Sequence, residues 1–192
     1  MISLLTLVAI FGLALIGWFA ARAKARLLYT GRGSLNSMPG HHGLHLALWV
    51  LVPALIAWAA WASVSPALVH DAVLADPVAA KLPAMDMERQ AILAEAKVLA
   101  ADPDAGAFHP LSRDLVAPMR AAQTHFALLG AVLVALIAFA GGAYGYTRIR
   151  ASFPARGRLE RAAMGGLLLA SLIAILTTAG IIASLVFEAA RF

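Results

Sequence analysis

Ile2-Ser-Leu-Leu-Thr-Leu-Val-Ala-Ile-Phe-Gly-Leu-Ala-Leu-Ile-Gly-Trp-Phe-Ala-Ala21 contains no Lys, Arg, Asp or Glu, and Arg22-Ala-Lys24-Ala-Arg26 follows it at once. A helix rises about 1.5 Å per residue, so about twenty apolar residues cross the roughly 30 Å hydrocarbon layer of a bilayer. Three further stretches, at 44–64, 124–146 and 162–187, are at least as long and equally free of Lys, Arg, Asp and Glu. The fold class expected is all-α: an integral membrane protein with four transmembrane helices.

Composition supports this. Of 192 residues 62% are hydrophobic and 13% charged, against about a quarter charged in an ordinary soluble domain. No cysteine is present, so disulfide frameworks, thiolate metal sites and cysteine nucleophiles are excluded. The formal net charge is +5, but the basic residues gather beside the apolar stretches. That placement points to topology or anionic lipid, and no nucleic-acid partner is expected. No basic stripe with interleaved aromatics is present.

Two connecting segments hold nine of the fifteen Lys and Arg residues. Arg22, Lys24, Arg26 and Arg32 follow the first stretch, with no acid among them. Arg148, Arg150, Arg156, Arg158 and Arg161 follow the third, with Glu160. Because Lys and Arg stay cytoplasmic, both segments are placed inside, and four spans then put both chain ends outside. Ala21-Arg22-Ala23 resembles a small-x-small cleavage site, yet a secretory signal carries its basic residues before a shorter apolar core. The first stretch is therefore read as an uncleaved helix.

Three parts follow: a transmembrane hairpin at 1–64, an external segment at 65–123 and a second hairpin at 124–192. The external segment carries five basic and eight acidic residues and is broken by Pro66, Pro77, Pro83, Pro103, Pro110 and Pro118. Proline fixes φ and lacks an N–H, so long helices are not expected to pass these points undisturbed. One helix fits at 87–101, with Asp86 as its cap and Glu88 in the first turn, where the macrodipole favours negative charge. Ile92, Ala96 and Leu99 give it one apolar ridge. A second short helix at 111–122 leads into the third span. Together these form a small external helical cap. The halves share a hairpin layout but no residue-level repeat.

Few side chains suggest chemistry. His41, His42 and His45 stand at the start of the second span, and His41 and His45 share a helical face at the spacing of paired metal ligands. No acid lies nearby in sequence to complete or orient such a site. An interfacial or helix-start role for these histidines competes with metal or haem binding. His125 falls at the opposite end of the bundle. Trp18, Trp61, Tyr144 and Tyr146 fit interfacial belts, and Trp58 with Trp61 is read as belt or core packing. Pro53 should bend the second helix. No Asp, Glu, Lys or Arg lies within the spans, which argues against a self-sufficient proton-coupled transporter. Gly141, Gly142, Gly165, Gly166, Thr177, Thr178 and Gly180 read as helix-packing positions, because small residues let backbones approach. No nucleophile elbow, phosphate-cradling loop or carboxylate pair is present. Neither enzyme activity nor a cofactor is expected.

Two stretches are more specific: Ser37-Met-Pro-Gly-His-His-Gly43 followed by Leu46-Ala-Leu-Trp49, and Ser171-Leu-Ile-Ala-Ile-Leu-Thr-Thr-Ala-Gly-Ile-Ile-Ala-Ser-Leu-Val-Phe-Glu188-Ala-Ala-Arg-Phe192. Together they resemble the N-terminal extension and first core helix of proteobacterial phosphate ABC transporter permeases of the PstC type. His41 stands where that pattern has an aromatic Tyr. The resemblance implies a multi-pass protein of the bacterial inner membrane. It also implies that this is an N-terminal portion of a larger permease, or a separately encoded version of it. Its role would be assembly, packing or regulation during phosphate import. Implied partners are the lipid bilayer and the remaining permease helices or a second permease subunit. An ATPase subunit and a phosphate-binding protein are implied indirectly. Two rival readings are a free-standing four-helix scaffold or assembly factor, and a metal or haem membrane protein built on the histidines.

Overall fold

The computed structural model describes residues 2–29, 38–102, 105–150 and 155–191, and every regular element among them is helical. Arg32, Ser37, Pro103 and Phe192 fall outside the described residues. The helices are α1 (Ile2–Tyr29), α2 (Pro39–Leu74), α3 (Asp86–Ala101), α4 (Pro110–Asp114), α5 (Val116–Thr147) and α6 (Ala155–Arg191), with a 3₁₀ turn at Pro77–Lys81. Four helical segments are long and apolar enough to cross a membrane: Leu4–Leu27, Gly40–Leu74, Pro110–Thr147 and Arg156–Arg191.

Each spanning helix outruns the apolar stretch that announced it. α1 carries Arg22, Lys24 and Arg26 inside the helix, where a loop was expected. Alternating Ala with straight-chain Lys and Arg is a strong helix-forming pattern, so nothing stops the helix at the charge boundary. α2 opens on Pro39, which suits a first helical position because its missing N–H is unsatisfied there anyway. The same helix runs through Pro53 and Pro66 to Leu74. The helix thus continues past Pro66, one of the prolines that long helices were not expected to cross undisturbed, and extends ten residues beyond the stretch at 44–64. Thirty-six residues correspond to about 54 Å of helix, well beyond the hydrocarbon thickness.

The chain folds as two compact units. One comprises Met1–Ala14 and Trp49–Ala143, the other Leu15–Leu48 and Tyr144–Phe192. In the first, Val73, Ala79, Ile92, Leu93, Ala96, Leu115 and Met119 form a buried cluster. It gathers the end of α2, the 3₁₀ turn, α3 and the start of α5. Burial of a Leu, Ile or Met side chain stabilises by about 1.5–3 kcal/mol. This packing holds α3, because a helix of 16 residues is marginal alone in water. Ile92, Ala96 and Leu99 are all buried, as the apolar ridge required.

Capping differs in detail from expectation. Met85, not Asp86, occupies the cap position of α3 and makes no side-chain cap bond. Asp86 is the first helical residue and pairs with Arg89 one turn on. Asp76 does cap, its Oδ1 accepting from Val78 N–H at 2.9 Å. The expected helix at 111–122 is split: α4 ends at Asp114 and α5 starts at Val116, with Pro118 in its first turn.

In the second unit, Ala21, Leu46 and Ile149 form a small buried cluster. Trp18 lies against Gly43: a Cβ placed there would stand 2.6 Å from the indole. α6 contrasts with everything else. None of its apolar window is buried.

Candidate functional site

The first unit holds a cavity of about 560 Å3 between α1, α2, α3 and α5. α2 contributes one helical face, from Trp58 and Trp61 through Ser65 and Val69 to His70. α5 contributes another, from Met119 and Gln123 to Val134. Gln90, Ala94 and Lys97 of α3 close the end nearer the polar segment. The lining is thus polar at one end and aromatic or aliphatic at the other. Among the described residues, Lys97 is the one Lys, Arg, Asp or Glu side chain that lines it.

Trp61 fixes this wall. Its Nε1–H donates to the Phe126 carbonyl at 3.0 Å. Its indole occupies the space over Gly130, where a Cβ would stand 2.1 Å from Nε1. Trp61 is therefore an α2–α5 contact as well as a candidate belt residue. A cavity of about 360 Å3 adjoins, aliphatic apart from Thr6 and lined by Leu5, Ile10 and Leu13 of α1 and by Leu128, Ala135 and Ala138 of α5. Thr6 and Ala131 line both cavities.

The small residues singled out in the sequence divide into two groups. At Gly141 a Cβ would stand 2.1 Å from the Trp49 carbonyl oxygen and 3.3 Å from Pro53 Cγ. At Gly142 it would stand 3.1 Å from Val50 Cγ2. At Gly141 the α5 backbone therefore lies close against the α2 backbone, and Gly142 faces the Val50 side chain. At Gly165, Gly166 and Gly180 a Cβ would meet nothing within 4 Å. The Thr177 and Thr178 hydroxyls donate to the Ile173 and Ala174 carbonyls one turn back, at 2.8 and 2.9 Å.

In the second unit the histidines lie at the start of α2. His42 and His45 are buried, with 1% and 7% exposure, and His41 is half-buried. Among the described residues no three His, Asp or Glu side chains come together as a metal-binding group. Basic side chains meet the aromatic belt here. Lys24 Nζ lies 4.0 Å from the Tyr146 ring centre and donates to the Tyr146 carbonyl at 3.1 Å. Arg22 lies over Trp18 at 5.1 Å and Arg148 over Tyr144 at 4.9 Å. A cation within about 6 Å of a ring face is attracted by the ring quadrupole, so these contacts hold the basic ends of α1 and α5 beside their belt.

Sequence reading missed the junction of α3 and α4. Glu95 accepts from the Phe108 N–H and, at 3.3 Å, from the His109 N–H. The Phe108 bond, then Ser112 and His109, hold its carboxyl below the usual range. His109 caps α4 through Nδ1, which accepts from Leu111 N–H at 3.2 Å. Arg120 donates to the Ala100 and Leu99 carbonyls at 3.0 and 3.3 Å, satisfying carbonyls at the end of α3 that have no partner within the helix. A single carboxylate thirteen residues from its partner leaves no periodic trace to read.

Residues 7–177 match the family model described as phosphate ATP-binding cassette transporter. The chain belongs to that family. The match runs through all four apolar helices, so the spans and the family agree on a membrane protein associated with transport. Neither a curated protein nor a solved structure matches the chain.

Proposed function

We propose that this chain is the N-terminal membrane domain of a PstC-type phosphate permease of the bacterial inner membrane. Its role is to pack against, assemble or regulate the helices that conduct phosphate. The family match over residues 7–177 carries the reading. The charge pattern supports the orientation: Arg22, Lys24 and Arg26 with Arg148, Arg150, Arg156, Arg158 and Arg161 lie inside, and both chain ends and the α3–α4 cap lie outside.

α6 supports the packing role. It is apolar along its length and exposed from Glu160 to Arg191. Ala162, Gly166, Ala170, Ala174 and Thr178 recur every four residues along it. Such small-xxx-small seams let helix backbones approach in a membrane, where packing rather than hydrophobicity drives association. The proposed neighbours are the remaining permease helices or a second permease subunit. An ATPase subunit and a phosphate-binding protein join the same assembly indirectly. In this reading the domain contributes packing, and no catalytic group and no contact to the transported phosphate ion is assigned to it.

Affinity purification of the full chain from its native membrane tests this. Permease, ATPase and phosphate-binding subunits should copurify, and deleting the domain should reduce phosphate uptake. Recovery without any phosphate-transport subunit, and unchanged uptake on deletion, would favour a free-standing scaffold instead. A bound metal or haem in the purified protein would favour the histidine-based reading.

A further inference from the structure

We infer that the two adjoining cavities of the first unit form a binding slot for one phospholipid, with the phosphate headgroup at Lys97 and an acyl chain running down between α1 and α5. This goes beyond the transport reading and does not depend on it.

Two features select this occupant. The first is charge. Lys97 is exposed and lines the polar end of the larger cavity, with no Asp or Glu among its lining residues. Gln90, His70 and Gln123 surround the same end with hydrogen-bonding groups. An ammonium with neighbouring amide and imidazole donors suits a phosphodiester anion. The second is polarity along the slot. Below this end the wall becomes Trp58, Phe126 and Val134, and the adjoining cavity is aliphatic apart from Thr6. A free phosphate ion has no use for that lower half.

The test uses the full chain in phosphatidylcholine nanodiscs, titrated with phosphatidylglycerol brominated in its acyl chain. Bromine quenches tryptophan on contact, and Trp58 and Trp61 line the slot. Quenching should saturate at low mole fraction. Lys97→Gln should raise the half-saturating fraction about fivefold, Lys97→Arg should restore it, and Arg113→Gln, outside the cavity, should leave it unchanged. Ala135→Phe, on an exposed position of the apolar cavity, should abolish the saturable phase while far-UV circular dichroism stays native. Quenching that rises linearly with bromolipid, or saturation that both Lys97→Gln and Ala135→Phe leave intact, overturns the inference. So does displacement of the bromolipid by millimolar inorganic phosphate, which would make the site an ion site. Loss of saturable quenching when the chain is purified with other transporter subunits would assign the slot to a helix and overturn it equally.

Discussion

Two Gly→Ala substitutions should change stability in opposite directions. In a helix interior Ala is favoured over Gly by about 0.8–1.0 kcal/mol, so each substitution starts with the same gain. At Gly165 a Cβ meets nothing within 4 Å, and that gain is kept. At Gly141 the Cβ would stand 2.1 Å from the Trp49 carbonyl oxygen, where ordinary contact begins at 3.4 Å. Relieving it requires a shift of about 1.3 Å between two helix backbones, not a rotamer change. Overpacking of this kind costs about 1–3 kcal/mol, sometimes more. The net loss at Gly141 is then up to about 2 kcal/mol. At this chain length about 1 kcal/mol moves the melting temperature by about 2–4 °C. Gly141→Ala should therefore melt as much as about 8 °C below the parent, and Gly165→Ala at or slightly above it. Thermal unfolding of the full chain in one mild detergent, followed by near-ultraviolet circular dichroism, measures both. Equal melting temperatures for the two variants, or a more stable Gly141→Ala, would refute the close approach of α5 to α2.

Trp61→Phe keeps an aromatic six-membered ring but removes the pyrrole ring over Gly130 and its donor to the Phe126 carbonyl. It should cost about 0.5–1.5 kcal/mol, read as a lower melting temperature with the helical content intact. Glu95 has its carboxyl held low, so its stabilisation is complete above the unfolded value of about 4.3 and is lost as the pH falls through the lower folded value. The Phe108 and His109 amide resonances should titrate together with a midpoint below about 4.3, and Glu95→Gln should abolish that titration. A midpoint at or above the ordinary carboxylate value would contradict the hydrogen bonds at the α3–α4 junction. Replacing His41, His42 and His45 together by Gln should leave the chain in the membrane after alkaline extraction. Release from the membrane would show that these histidines hold the start of α2.

Much of the fold was legible because the bilayer imposes a coarse requirement. Uncharged runs of about twenty residues mark spans whatever they pack against. The ridge of Ile92, Ala96 and Leu99 was equally legible, since 3.6 periodicity reports which residues share a face. Helix ends were not. Ala21, Ala23 and Ala25 carry α1 past its charge boundary, and α2 passes Pro66 to place Val73 in the buried cluster. The cavity was not legible either. His70, Lys97 and Gln123 fall on three different helices, and periodicity says nothing about which helix faces which. Gly130 shows the limit most clearly: in sequence it is one glycine within an apolar run, while in the fold it seats the Trp61 indole.

The glycines also separate what is complete within this chain from what requires a neighbour. Gly43, Gly130 and Gly141 each have a side chain or carbonyl in the space a Cβ would take, so those approaches are already made. Gly165, Gly166 and Gly180 lie open on a helix with no buried apolar window. Glycine costs a helix about 1 kcal/mol relative to Ala, and four-residue spacing of small side chains has no use on a surface that meets only lipid. Nor do hydroxyl bonds explain the pattern, because Thr177 and Thr178 already donate within α6. Under the proposed packing role, a close partner along the seam from Ala162 to Thr178 accounts for Gly166, with Gly165 beside it. Cysteines placed singly at Gly166 and Leu172 of α6 test that partner directly. In the native membrane, crosslinking to another transporter subunit should be strong from Gly166 and weak from Leu172, and equal crosslinking from the two faces would leave the seam without a role.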